Sequence, residues 1–231
     1  MPNLSAAAAA RARRVRVRMT KAEQLIEVAR GLFAERGLDG TSVEEIAAHA
    51  EVSKPVVYEH FGGKEGLYAV VVDREVRRLH SAIRAALTTP RAGARRLIEL
   101  GTLALLDYID ACPDGFAIIS RGSTASSSEG SFATILSDVA SRAEDLLAGE
   151  FAKSHFATPL APMYAQMLVG LVALTGQWWL DTRESSPLDK EVVAAHVVNL
   201  AWNGMRHLEI APVLARPRPV AVRPDSPEAS A

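Results

Sequence analysis

In 231 residues there is one cysteine, Cys112. An internal disulfide and any multi-cysteine metal site are therefore excluded, and this thiol reads as a small buried hydrophobe. Aromatic residues are also scarce, at 6% of a chain that is 48% apolar. That apolar content suffices for a core. Alanine and leucine dominate it, and the alternation of β-branched residues that marks strands is scarce, so helix is expected as the main element. The histidines (His49, His60, His80, His155, His196, His207) form no H-x-x-x-H pair, so neither a metal ion nor a cofactor is expected. "GGKEG" at 62–66 lacks the spacing of a phosphate loop and follows a helix rather than a strand. No Ser-His-Asp set can be nominated from residue order, so no catalytic residue is expected.

Net charge is nearly absent too, at −1. Its distribution says more. Residues 1–80 hold 13 Lys/Arg against 11 Asp/Glu, and residues 81–231 hold 13 against 16. The mildly basic front is where a polyanion would meet the protein. The N-terminus is no secretory signal, because its arginines follow its alanines and no strongly apolar segment comes after. Residues 163–180 carry no charge and approach the length of a membrane span. Gln166, Thr175, Gln177 and two glycines interrupt them, and no Lys/Arg cluster flanks them, so a buried helix is expected, in a cytoplasmic protein with no membrane contact.

The pattern predicts a disordered basic arm at 1–18, with Arg11, Arg13, Arg14, Arg16 and Arg18, which either enters a minor groove or precedes a true start at Met19. A first helix begins at Thr20, where Thr20 and Glu23 have capping-box spacing, carries an apolar stripe of Leu25, Val28, Ala29, Leu32 and Phe33, and ends at Gly37. A second follows, its cap either Thr41 or Ser42, with Val43, Ile46, Ala47 and Ala50 inward. A third runs from Lys54 to Phe61, with Pro55 in its first turn, where a missing N–H loses no partner. A long helix is expected at 64–87, then others at 92–111, 113–120, 131–156, 162–182 and 189–209, and a disordered proline-rich tail at 211–231.

Two short helices joined by a three-residue turn fit a helix-turn-helix spanning 42–61. The third helix, about 12 Å long at 1.5 Å per residue, matches the width of the DNA major groove. With Val57 and Phe61 facing inward, Lys54, Pro55, Val56, Glu59 and His60 look outward. A valine there suits thymine methyl groups. Tyr58 sits at the edge, its hydroxyl placed to donate to a phosphate, and Lys64 adds positive charge at the start of the next helix.

"TSVEEIAAHAEVSKPVVYEHFGGKEGLYAVV" (41–71) resembles the DNA-binding domain of the TetR family of bacterial regulators, through its Thr-Ser entry, Val-Ser turn, Val-Tyr-x-His-Phe helix and Lys-x-x-Leu start. The resemblance implies an all-α homodimer. Residues 19–66 would read double-stranded operator DNA. Residues 67–210 would bind a small-molecule effector and dimerise through helices 162–182 and 189–209. Thr41 or Ser42 would contact phosphate, Lys54, Pro55 and Val56 would face bases, and Tyr58, His60 and Lys64 would hold the backbone. One position departs from the family's habit: Glu51 stands where glycine is common before the turn valine. If that position needs φ > 0, glutamate costs about 1 kcal/mol there.

In the rear part, Tyr108, Phe116, Phe132, Met163, Gln177 and Trp178 are candidates to line an apolar pocket for a lipophilic effector that releases a repressor. A helical enzyme would need a polar constellation instead, and only scattered Asp107, Tyr108, Arg121, Gln177 and His196 offer one. A scaffold without a ligand is the third class. Operator binding that a metabolite releases separates the regulator from both.

Overall fold

The computed structural model describes residues 20–121, 132–185 and 188–214. They form nine α-helices and a 3-10 turn, with no strand among the described residues. The helices are α1 (Lys21–Arg36), α2 (Val43–His49), α3 (Lys54–Phe61), α4 (Lys64–Leu87), α5 (Ala94–Ala111), α6 (Pro113–Arg121), α7 (Phe132–Lys153), α8 (Ala161–Thr182) and α9 (Lys190–Arg206). The arm at 1–18, the serine-rich loop after Arg121 and most of the tail lie outside the described residues.

Local chemistry sets the front boundaries. The Thr20 hydroxyl accepts from Glu23 N–H at 3.2 Å, and the Glu23 carboxylate accepts from Thr20 N–H at 2.8 Å, a complete capping box. Ser42 caps α2, accepting from Glu45 N–H, which decides between the two candidate caps. Between α3 and α4 the chain turns on Gly62 and Gly63, at φ +73° and +132°, conformations that cost a side chain dearly.

Two cores result. The front one holds Leu25, Phe33, Ile46, Val57, Leu67 and Val71; the rear one holds Leu79, Leu106, Ile109, Phe116, Ile135 and Trp179. Helix α4 serves both, with Leu67 and Val71 in the first and Val76, Leu79 and Ile83 in the second. So does α6, whose Ile118 belongs to the front core while Phe116 and Ile119 belong to the rear. The two cores are thus joined by two helices, and α1 packs against both of them.

Candidate DNA interface and effector cavity

Helix α3 is held by one fully buried residue, Val57, and by the half-buried Phe61. Lys54, Pro55, Tyr58, Glu59 and His60 are exposed, as the spacing predicts. Val56 is only half outward, since part of its side chain packs against the front core. The Lys54 ammonium pairs with the Glu44 carboxylate of α2 and lies 6.0 Å from the Tyr58 ring centroid. Their hydrogen bond holds the Glu44 carboxyl below, and the Lys54 ammonium above, the ordinary range. A phosphate approaching Lys54 therefore competes with Glu44 in an exposed pair, where such contacts are weak.

Thr41 and Ser42 take different roles. Thr41 is buried and its hydroxyl donates to the Gly37 carbonyl at 2.8 Å, whereas Ser42 is exposed. Lys64 donates to the Leu38 and Thr41 carbonyls, at 3.0 and 3.2 Å, and so pins the turn before α2 to the start of α4. Glu51 adopts φ +56°, the left-handed conformation that glycine accepts without strain. The condition attached to that position in the sequence is met.

The rear helices enclose a cavity of about 130 Å³ between α4, α5, α7, α8 and α9. Its wall is aliphatic and aromatic, including Leu97, Leu105, Phe132, Leu147 and Val172. Thr102 also faces it, but its hydroxyl is committed to the Ile98 carbonyl at 2.7 Å. Among the described residues, the lining thus has no free polar side chain to hold a charged or hydrogen-bonding ligand.

Of the six pocket candidates, Phe132 alone lines this cavity. Phe116 is fully buried behind it, edge-on to Phe132 at 5.5 Å. Tyr108 is buried and donates to a carboxylate. Gln177 donates to Asp181 at 2.9 Å. Met163 and Trp178 are 44% and 45% exposed on the outer face of α8. The structure does not gather the six, because aromatic character in the sequence does not reveal which side of a helix faces a void. The lining of this cavity is mostly leucine, isoleucine and valine, which sequence cannot distinguish from core.

The outer face of α8 is itself apolar. Met163, Met167, Leu174 and Trp178 are exposed along one side, while Ala161, Ala165, Val169, Ala173, Gly176 and Trp179 are buried on the other. The stretch 158–182 has the length and composition of a membrane span, but one face packs on neighbouring helices. Gly176 belongs to that packed face: a Cβ there would meet Leu105 and Ile109 at 3.0 Å.

The family model described as bacterial regulatory proteins, tetR family, matches residues 25–71, and that for a tetracyclin repressor-like C-terminal domain matches 95–204. The HTH-type transcriptional activator FasR of Mycolicibacterium smegmatis is 30% identical over 191 residues, 81% of this chain and 84% of that protein. The chain belongs to the TetR family. Like its relatives, this TetR-family protein is a DNA-binding transcriptional regulator, not an enzyme. The HTH-type transcriptional repressor Rv3405c of Mycobacterium tuberculosis is 41% identical over 64 residues, 26% of this chain and 34% of that one. The fold is shared with a fatty acid degradation regulator, FadR, of Bacillus halodurans, at TM-score 0.64 and 18% identity, covering 83% of this chain and 99% of that one.

Where the DNA reader of this TetR-family protein meets its rear helices lies a polar node that sequence reading missed. Glu75 of α4 is fully buried. Its carboxylate accepts from the Tyr108 hydroxyl at 2.8 Å, the Cys112 thiol at 3.4 Å and Arg78 at 3.2 Å, and Arg30 of α1 lies 3.6 Å away. Burial pushes the Glu75 carboxyl up, but the Tyr108 hydroxyl, Arg78, Cys112 and Arg30 outweigh it and hold it below the usual range. Burial first, then the same carboxylate, pushes the Tyr108 and Cys112 groups up. Gly115 makes the cluster possible: a Cβ there would lie 2.6 Å from Glu75 Oε2 and 2.8 Å from the Tyr108 oxygen. The signal was available, since Glu75 interrupts the i, i+4 stripe Leu67, Val71, Leu79, Ile83. From α6, Arg121 donates to the Ala34 carbonyl of α1 at 2.8 Å, a second polar tie between the parts.

Proposed function

We propose that the protein is a homodimeric repressor, released from a palindromic operator when a lipophilic small molecule enters the rear cavity. The outer face of α3 carries this reading: Lys54, Pro55, Tyr58 and His60 are exposed on a helix anchored by buried Val57, so the face is free to enter a major groove. We assign phosphate contacts to Ser42, Tyr58, His60 and Lys64, and base contacts to Lys54, Pro55 and the outward part of Val56. Thr41 acts from inside, by holding the turn before α2. Residues 19–66 form the reader and 67–210 the effector and dimerisation unit, in a cytoplasmic protein. The exposed stripe of α8, with Leu200 of α9 at 64% exposure, supports pairing through these two helices across a two-fold axis.

The wholly apolar cavity supports a lipophilic effector, and the naming of the similarly folded Bacillus halodurans protein for fatty acid degradation points the same way. Footprinting on genomic DNA fragments tests the reading. A symmetric protected site is expected, with half-site centres about 34–36 Å apart or slightly more, lost on adding a lipid extract. Absence of any symmetric site would refute it. One observation favours activation instead: the relative aligned over most of the chain is named an activator. In vitro transcription from the footprinted promoter separates the two, since repression requires fewer transcripts when protein is added.

A further inference from the structure

Beside the aliphatic cavity lies a charged groove of about 440 Å³ between α4 and α7. His80 and Arg84, one turn apart on α4, face Asp138 and Arg142, one turn apart on α7. Ile83, Leu87 and Val139 line the groove and the cavity alike, so a single layer of side chains separates them. Ile83 is nearly buried, while Leu87 and Val139 are half-buried.

The charges in the groove are not balanced. His80 Nε2 lies 3.4 Å from Asp138 Oδ2. Arg84 and Arg142 are exposed and make no ion pair among the described residues. Two guanidinium groups, each able to grip an oxyanion with two parallel N–H donors, therefore flank the wall that the groove shares with the cavity. The cavity cannot accept a charged group itself, since burying one without partners is prohibitively costly. An apolar chain inside and an anionic head outside satisfy both sites at once.

We propose that the groove is the head-group site of the effector, and that the effector is a single-chain amphiphile with an oxyanion head. The head, a carboxylate or phosphate, sits between Arg84 and Arg142, and the alkyl chain passes between Leu87 and Val139 into the cavity. The assignment rests on the effector cavity proposed above.

Calorimetric titration of the full-length protein with inorganic phosphate and with octanoate, octyl phosphate and octan-1-ol, whose chains match the cavity of about 130 Å³, tests it. The alcohol is expected to bind by its chain alone, and at least one of the two anionic lipids about tenfold more tightly, equivalent to about 1.4 kcal/mol. The variant R84Q/R142Q changes exposed side chains only. It is expected to bring the anionic lipid to the alcohol's affinity and to leave the alcohol unchanged. Inorganic phosphate is expected not to bind at these concentrations. If the alcohol binds as tightly as both anions, or if the variant leaves the anions unaffected, the head-group assignment is overturned while the cavity reading stands. Inorganic phosphate binding as tightly as octyl phosphate would make the groove a free-anion site unconnected to the cavity, which also overturns the proposal. If no lipid binds at all, both readings fail together.

Discussion

Glu51 shows what a single backbone angle can cost. Its φ of +56° is uncomfortable for any residue with a Cβ, and the chain tolerates it because Val52 N–H must reach the Ala47 carbonyl to close the turn before α3. Glu51→Gly is expected to stabilise the protein by about 1 kcal/mol, less what glycine loses in unfolded-state entropy. It also removes a negative charge beside the recognition helix, so operator affinity should rise. Urea denaturation and operator titration check both, and a variant less stable than the parent by more than about 1 kcal/mol, the most that glycine's entropy costs, would exclude strain at this turn. Glu75 is the opposite case, a charge kept buried by its partners. Its folded-state pKa is depressed, so its stabilisation is full above the unfolded value, about 4.3, and is lost as pH falls through the folded value. Glu75→Gln leaves Arg78 and Arg30 without their buried counter-charge, and is expected to cost about 3 kcal/mol at pH 7. The gap between variant and parent should narrow below about pH 4. Denaturation curves at pH 7 and at acid pH decide this, since an unchanged gap would mean that the carboxylate charge contributes nothing.

At the scale of elements, most boundaries were legible because short-range chemistry sets them. The capping box at Thr20, Pro55 at the start of α3 and the glycine pair at 62–63 each act within one turn of chain, and α3 and α4 begin and end where the pattern places them. The later helices shift by a few residues, as at α7, which runs 132–153 rather than 131–156. Which face of a helix meets what was less legible. Although dimerisation is expected through 189–209, Val193 and Val197 of α9 are buried in their own subunit, whereas Leu200 and Gly204, one and two turns on, are exposed. Likewise Ala173 and Gly176 face inward on α8. The best probe of the proposed interface is therefore Leu174, at 73% exposure. Leu174→Glu is a surface change in a single chain, expected to move its stability by no more than about 0.5 kcal/mol. Buried in a two-fold interface it would place a charge against its own copy, and light scattering should then show monomers. A stable dimer of this variant would move the interface away from α8.

For the whole molecule, the question is how a ligand in the rear could reach the DNA reader. Helix α4, which contributes to both cores, is half of the link that the structure offers. Helix α6 is the other half, through Ile118 in the front core and Arg121 on the Ala34 carbonyl. If both helices carry the coupling, Arg121→Ala should leave operator and lipid binding separately near normal while weakening their mutual opposition by about 0.5–2 kcal/mol. Operator titrations with and without a saturating lipid measure that difference, and an unchanged ratio would assign the coupling to α4 alone. The chain's own order of residues determined the all-helical class, the helix-turn-helix and the exposed tip of α3, because these follow from periodicity, caps and turns that act within a few residues. Only the tertiary structure decided where the cavity lies, that Phe132 lines it while Trp178 does not, and that Glu75, Tyr108 and Arg30 meet. Arg30, Glu75 and Tyr108 are 33 to 78 positions apart in the chain, and nothing in their local pattern specifies the packing of α1, α4 and α5 that brings them together.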